Sequence, residues 1–407
     1  MSADFLPRPS AESAPDVTDA ATPGAEPAGP HSPATPAQAE AAAAALAPRL
    51  FAQAAATDEV GAFPTQEFGW LRAAGLLTAA LPPALGGAGL HEPAATLPLL
   101  RTLQHIGRGN LAVGRVFEGH VNALMLIQQL GTQAQAARYA ADARAGRLFG
   151  VWNTEVPADG VRLEALPNGR YRLHGAKTFA SGAGHLARPL ITGALPEGRG
   201  WQLFVLPADR QAPALDRSFW RPLGMRATAS FRADLTGLEI GPDDLIGPPD
   251  AYYRQPAFSG GAIRFAAVQL GGAEAVFEET RAFLRGLGRI DDPYQRQRLG
   301  EMAIALESGR QWVRGAAEHA ARPGAAEATE ATEATVAYAN MMRTAIETIC
   351  LDMLRLAERC VGARGLLEPQ PFERLHRDLT HYLRQPAPDG ALADVGRFVL
   401  EGKNFVS

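Results

Sequence analysis

Three short segments hold the side chains best equipped for chemistry. The turn Trp152-Asn153-Thr154 puts an amide, a hydroxyl and backbone N–H donors beside a large aromatic ring. Phe179-Ala180-Ser181 places a second aromatic next to a second hydroxyl. Pro386-Ala387-Pro388-Asp389-Gly390 carries a carboxylate, the side chain that acid–base work requires, but it also has the pattern of a loop ending in a helix-capping Asp. Trp152 and Phe179 are equally able to be core aromatics, and Thr154 and Ser181 to be turn hydroxyls satisfying local backbone. Metal and thiol chemistry are not supported. His105, His120, His174, His185, His376 and His381 share no metal-ligand spacing on a common face, so they read as surface or core histidines. Cys350 and Cys360 are too few and too oddly placed for a disulfide framework or a zinc site.

The composition excludes further classes. The 407 residues carry 39 Lys+Arg against 43 Asp+Glu, a formal charge of −4, which leaves no basic excess for a phosphate backbone. Nucleic acid is therefore not expected as a partner. No stretch approaches 18 uninterrupted apolar residues, so no membrane span is expected. The first residues lack the basic-then-apolar layout of a secretory signal, and the paucity of cysteine fits a reducing, cytoplasmic setting.

Elements that could position these residues follow from the periodicity. Residues 1–38 are rich in Ala, Pro, Ser, Thr and Gly and are expected to be a disordered tail. A helical period over residues 39–147 gives way near Phe149 to strand-like alternation, as in Trp201-Gln202-Leu203-Phe204-Val205-Leu206. The strand block runs to about residue 250, and helical periodicity returns over residues 251–407. The low-complexity triplets from Ala325 to Thr335 read as a loop or a frayed helix start. An order of helices, strands, helices is an α+β architecture, not the strand–helix alternation of a doubly wound nucleotide fold. Gly86-Gly87-Ala88-Gly89 lacks the strand–turn–helix context of a phosphate loop and reads as a turn.

Four landmarks in order make the chain resemble the acyl-CoA dehydrogenase family from about Ala39 to Leu400. They are Leu71-Arg72-Ala73-Ala74-Gly75-Leu76-Leu77 with the glycine-rich turn; Trp152-Asn153-Thr154-Glu155; His174-Gly175-Ala176-Lys177-Thr178-Phe179-Ala180-Ser181-Gly182 with Leu223-Gly224-Met225-Arg226-Ala227-Thr228; and Gly362-Ala363-Arg364-Gly365 followed by Phe372 to Asp378. The resemblance implies an N-terminal helical domain, a β-barrel-like middle domain and a C-terminal four-helix bundle. It also implies FAD held between these and a neighbouring subunit of a homodimer or homotetramer. Trp152, Asn153 and Thr154 would then meet the flavin from one turn, and Phe179, Ala180 and Ser181 from another, with the aromatic on the flavin face and the hydroxyl near N5. Arg289 is the nearest match to the family's diphosphate-binding Arg, and Gly362 and Gly365 to its glycine-rich adenine turn. A plain helix C-cap explains these two glycines as well.

In that family a Glu removes a proton from an acyl thioester, carried on CoA or a carrier protein, while the flavin takes a hydride. Here the ungapped positions fall on Pro386 and Ile263, neither of which accepts a proton, and only a longer loop brings Asp389 into play. The resemblance therefore implies either α,β-oxidation of an acyl thioester with Asp389 as base, or a flavin monooxygenase or oxidase on the same fold. A non-catalytic flavin-binding homologue is a third reading. The electron acceptor is left open.

Overall fold

A computed structural model describes residues 32–322 and 330–403. Residues 1–31 of the expected tail and residues 325–329 of the triplet segment lie outside the described residues. Helix α1 (Pro36–Gln53) begins ahead of the predicted Ala39, because Thr35 caps it: its hydroxyl accepts the Gln38 N–H at 3.3 Å and Pro36 opens the first turn. Helices α2 (Thr65–Ala73), α3 (Thr96–Gly109), α4 (Leu111–Leu130) and α5 (Gln133–Arg144) complete the first helical region.

The middle of the chain folds into ten short strands. They are β1 (Phe149–Trp152), β2 (Arg162–Ala165), β3 (Tyr171–His174), β4 (Ala176–Ala180), β5 (Arg188–Ala194), β6 (Trp201–Val205), β7 (Ala214–Asp216), β8 (Phe231–Asp234), β9 (Glu239–Ile240) and β10 (Leu245–Ile246). Seven of them form one mixed sheet in the order β10-β6-β5-β2-β3-β9, with β1 parallel to β5, and the other three form a sheet β4-β8-β7. The C-terminal helices are α6 (Ala262–Gly286), α7 (Pro293–Ala320), α8 (Glu330–Gly365), α9 (Pro371–Tyr382) and α10 (Pro388–Leu400). No helix among the described residues is long and apolar enough to cross a membrane.

Heptad-like spacing builds the helical core. Met342, Ile346, Cys350, Met353 and Ala357 recur every three or four residues on α8 and are all fully buried. Cys350 and Cys360 are both free and buried, and burial pushes both thiols up. Helix α6 joins this bundle to the first helical region. A methyl group at Gly271 would sit 2.0 Å from the Gln104 carbonyl oxygen, so α3 and α6 touch backbone to backbone there.

Helix α9 performs the second joining. Its apolar face, Phe372, Leu375, Leu379 and Tyr382, is buried, while its polar face grips the other two regions. Arg377 pairs with Asp58 at 2.6 Å, ahead of α2, and with Glu373 on its own helix. The buried Asp378 accepts the Met225 N–H at 2.6 Å, and a methyl group at Gly224 would meet the Arg377 carbonyl oxygen at 2.1 Å. The strand block is thus seated on the backbone of α9 with no room for a side chain.

Two outcomes follow for this joint. Gly224→Ala must push the strand block off α9 and is expected to cost on the order of 1–3 kcal/mol, read as a lower denaturation midpoint; an unchanged midpoint would show the contact to be compliant. Burial pushes the Asp378 carboxyl from 3.8 up to about 6, against the opposing pull of the Met225 N–H and Arg374. The folded chain therefore holds that proton more tightly than the unfolded one. The stabilisation is complete below about pH 4 and is lost as pH rises through about 6, an effect on the order of 3 kcal/mol. Asp378→Asn keeps an acceptor for Met225 and should flatten this decline in an unfolding series from pH 4 to 7.

Candidate functional site

Two turns that are distant in sequence meet at the edge of the small sheet. The Trp152 indole N–H donates to the Ser181 carbonyl at 3.0 Å, and the Thr178 N–H donates to the Thr154 carbonyl at 3.1 Å. These bonds bring residues 152–154 and 179–181 together. Trp152 and Ala180 are buried, so both serve the core, whereas the Thr154 side chain is exposed and its hydroxyl has no partner among the described residues.

Backbone strain concentrates at this edge. Register slips between Lys177 and Ala180 in β4, and Phe179 takes φ 51° with its ring 49% exposed. Facing it, Met225 and Ala229 take φ 59° and 44°. The two segments are tied by Gly182 N–H to Thr228 carbonyl at 2.8 Å and Ala183 N–H to Ala229 carbonyl at 3.2 Å. Left-handed non-glycine residues cost of order 1–3 kcal/mol each and persist where surrounding structure over-determines them. Here that conformation holds an aromatic ring out in the open.

Hydrogen-bond direction around the turns can be read from their ends. The Thr228 hydroxyl donates to the Met225 carbonyl at 2.9 Å, which uses its only proton. The Ser230 hydroxyl, 2.7 Å away, must then donate to Thr228, and Ser181, 2.9 Å from Ser230, must donate to Ser230. Ser181 is left with lone pairs and no proton to offer. Asn153 has the opposite polarity. Its Oδ1 accepts from the Thr192 hydroxyl at 2.7 Å and from the Tyr253 hydroxyl at 2.9 Å, so its NH2 group is the free end. Behind it the fully buried Lys177 donates to Glu155 and, at 3.1 Å, to Thr192. Burial pushes the Lys177 ammonium down while Glu155 pulls it back up. The other Glu155 oxygen accepts the Val161 N–H at 3.0 Å, a local capping role.

An aromatic seam runs from this edge to the helices. Phe179 meets Phe219 edge-on at 5.3 Å and Trp220 at 6.3 Å, and Trp220 meets His381 of α9 at 5.5 Å. Burial lowers the His381 pKa, so its imidazole is neutral at pH 7. His120, by contrast, is a core histidine. Its Nε2 donates to the Leu77 carbonyl at 2.7 Å and its Nδ1 accepts the Phe149 N–H at 3.1 Å; burial lowers its pKa to about 4.

The remaining expected residues form no hydrogen bond or ion pair with the two turns among the described residues. Arg289 is exposed in the α6–α7 loop and forms no ion pair among the described residues. Gly362 breaks α8 at φ 60°, ψ −168°, a conformation reserved for glycine, and Gly365 closes the helix. Asp389 is exposed in the first turn of α10, with no hydrogen bond or ion pair among the described residues; the N-cap is Ala387. Phe219, Trp220 and Tyr253 carry no sequence signal that singles them out, and His381 reads in the sequence only as a surface or core histidine. Lys177 lies inside the His174 to Gly182 landmark, but its burial carries no sequence signal.

Residues 34–147 match the family model described as acyl-CoA dehydrogenase, N-terminal domain, and residues 263–383 that described as acyl-CoA dehydrogenase, C-terminal domain. A dibenzothiophene monooxygenase of Mycolicibacterium goodii is 28% identical over 374 residues, 84% of this chain and 89% of that protein. A probable FMNH2-dependent monooxygenase, SfnC, of Pseudomonas putida is 26% identical over 374 residues, 87% of this chain and 92% of that protein. The FMN-bound structure of TdsC from Paenibacillus sp. A11-2 superposes with a TM-score of 0.78 at 22% identity, covering 91% of this chain and all of that one, a likeness of fold. The two matched domains flank the strand block in chain order and together span more than half of the sequence, and the helices, strands and helices observed here have that family's arrangement. The chain belongs to the acyl-CoA dehydrogenase family.

Proposed function

We propose that the chain is a monooxygenase that uses reduced FMN and dioxygen to oxygenate an apolar, ring-containing substrate. The observation that carries this reading is the lack of a proton acceptor where α,β-dehydrogenation needs one. Pro386 and Ile263 occupy the two base positions implied by the family resemblance, and Asp389 is turned to solvent on α10. The monooxygenase relatives, similar along most of the chain, support the same reading.

The residues at the strand edge fit a flavin. The open Phe179 ring offers a flat apolar face, and the Asn153 NH2 group and Thr154 hydroxyl are donors suited to the oxygens of a pyrimidine ring. Ser181 is locked as an acceptor, which suits a flavin N–H. Reduced flavin carries a proton on N5 and oxidised flavin does not, so this polarity favours the reduced form. When bound, the flavin supplies dioxygen activation; the chain supplies orientation, exclusion of water by the Phe179–Phe219–Trp220 rings, and a neutral His381 that can take up and return a proton. FMN is preferred to FAD because the contacts implied for an adenine and diphosphate reduce to an exposed Arg289 and two glycines that end a helix.

Supplied with a flavin reductase and FMN, the protein should transfer an atom of labelled dioxygen to an apolar heteroaromatic such as dibenzothiophene, and Asp389→Asn should leave the rate within about twofold. Anaerobic bleaching of bound oxidised flavin by an acyl-CoA, abolished in that variant, would instead establish the dehydrogenase. His381→Gln is expected to lower turnover about 100-fold with little change in KM. Turnover of the unaltered protein should fall on the acid side of the ordinary imidazole range as His381 charges, and the variant should lose that limb of the profile.

A further inference from the structure

Where α1, α3, α6 and α7 converge lies a cavity of about 310 Å³ that the flavin chemistry does not use. Helix α3 presents Arg101, Gln104, His105 and Arg108 to it from one face, and α7 adds Arg310 and Arg314. Two of the four guanidinium groups are neutralised: Arg101 by Glu40 of α1 at 3.4 Å and Arg310 by Glu274 of α6 at 2.8 Å. Arg108 and Arg314 form no ion pair among the described residues, which leaves the cavity wall with two uncompensated positive charges. Gln104 lines the cavity at 7% exposure with no hydrogen-bond partner among the described residues, and the buried His105 Nδ1 has none either. An amide open to the cavity and an unpaired imidazole nitrogen behind it, beside unneutralised arginines, suit a ligand with acceptor atoms and negative charge.

We propose that this cavity is a binding site for a phosphomonoester. Two free guanidinium groups match the two charges of a phosphate, with Gln104 and His105 supplying neutral contacts. A volume of about 310 Å³ exceeds what a bare phosphate fills, so an organic body accompanies the anion. None of the lining residues belongs to the strand-edge site, so the two readings stand or fall separately.

The test is calorimetric titration of the full-length protein, both without flavin and saturated with FMN, which fills the flavin's own phosphate position; FMN is itself a phosphomonoester, so the flavin-free titration guards against its occupying the cavity. Inorganic phosphate and glycerol 3-phosphate are compared at constant ionic strength. Both should bind saturably at one site, glycerol 3-phosphate at least as tightly, and Arg108→Gln with Arg314→Gln should weaken both at least tenfold while FMN affinity stays unchanged. Arg314→Gln alone, at an exposed helix position that does not threaten folding, should weaken both severalfold. No saturable binding, or binding that survives the double substitution, would overturn the site. Weaker binding of glycerol 3-phosphate than of phosphate would overturn the organic body.

Discussion

The joint between α9 and the segment Leu223-Gly224-Met225 is the constraint on which the rest of the molecule depends. Asp378 accepts the Met225 N–H, and Gly224 lies against the Arg377 carbonyl with no room for a methyl group. This contact fixes the distance and angle between a sheet and a helix that share no continuous stretch of chain. The same segment leads directly into Ala229 and Ser230, so its placement also sets the hydroxyl chain that ends at Ser181. His381 lies three residues beyond Asp378, almost one helical turn on, which brings its ring to Trp220. One buried carboxylate thereby aligns an aromatic wall, a polar chain and the His381 imidazole.

The polarity of the site is set from behind rather than at its surface. Thr192 and Tyr253 both spend their protons on Asn153 Oδ1, and the buried Lys177 holds the Thr192 oxygen from the other side. Hydroxyls are ambivalent groups, and only their terminal partners decide which way each proton points. The Met225 carbonyl settles it for Ser181 and the Asn153 amide oxygen settles it for Thr192. Asn153 and Ser181 consequently offer opposite ends to whatever lies between them.

Much of the architecture was legible in the sequence because the hydrophobic period carries it. The change of period near Phe149 marked the start of the strands, and the recurrence of Met342, Ile346, Cys350, Met353 and Ala357 wrote the buried stripe of α8. The turns at Trp152 and Phe179 were also legible as places where polar atoms gather. What the sequence lacked was anything that depends on a single backbone angle or a long-range approach. Nothing in the letters of Phe179 announces a positive φ, and Trp220 and His381, 161 positions apart in the numbering, become neighbours only through the α9 joint. Asp389 showed the converse. As a carboxylate in a loop it had the right type for chemistry, and its exposed place in the first turn of α10, a helix packed on α8, was not legible from that type.

The location of the sulfur atoms has a consequence for durability. A protein working with dioxygen and a reduced carrier is exposed to hydrogen peroxide formed by wasteful side reactions, and peroxide attacks the thiolate rather than the thiol. Cys350 is sealed in the α8 stripe and Cys360 is nearly so, and the apolar surroundings suppress ionisation of both. The chain therefore carries its two cysteines in their least oxidisable form, a placement suited to the flavin–dioxygen chemistry proposed for it.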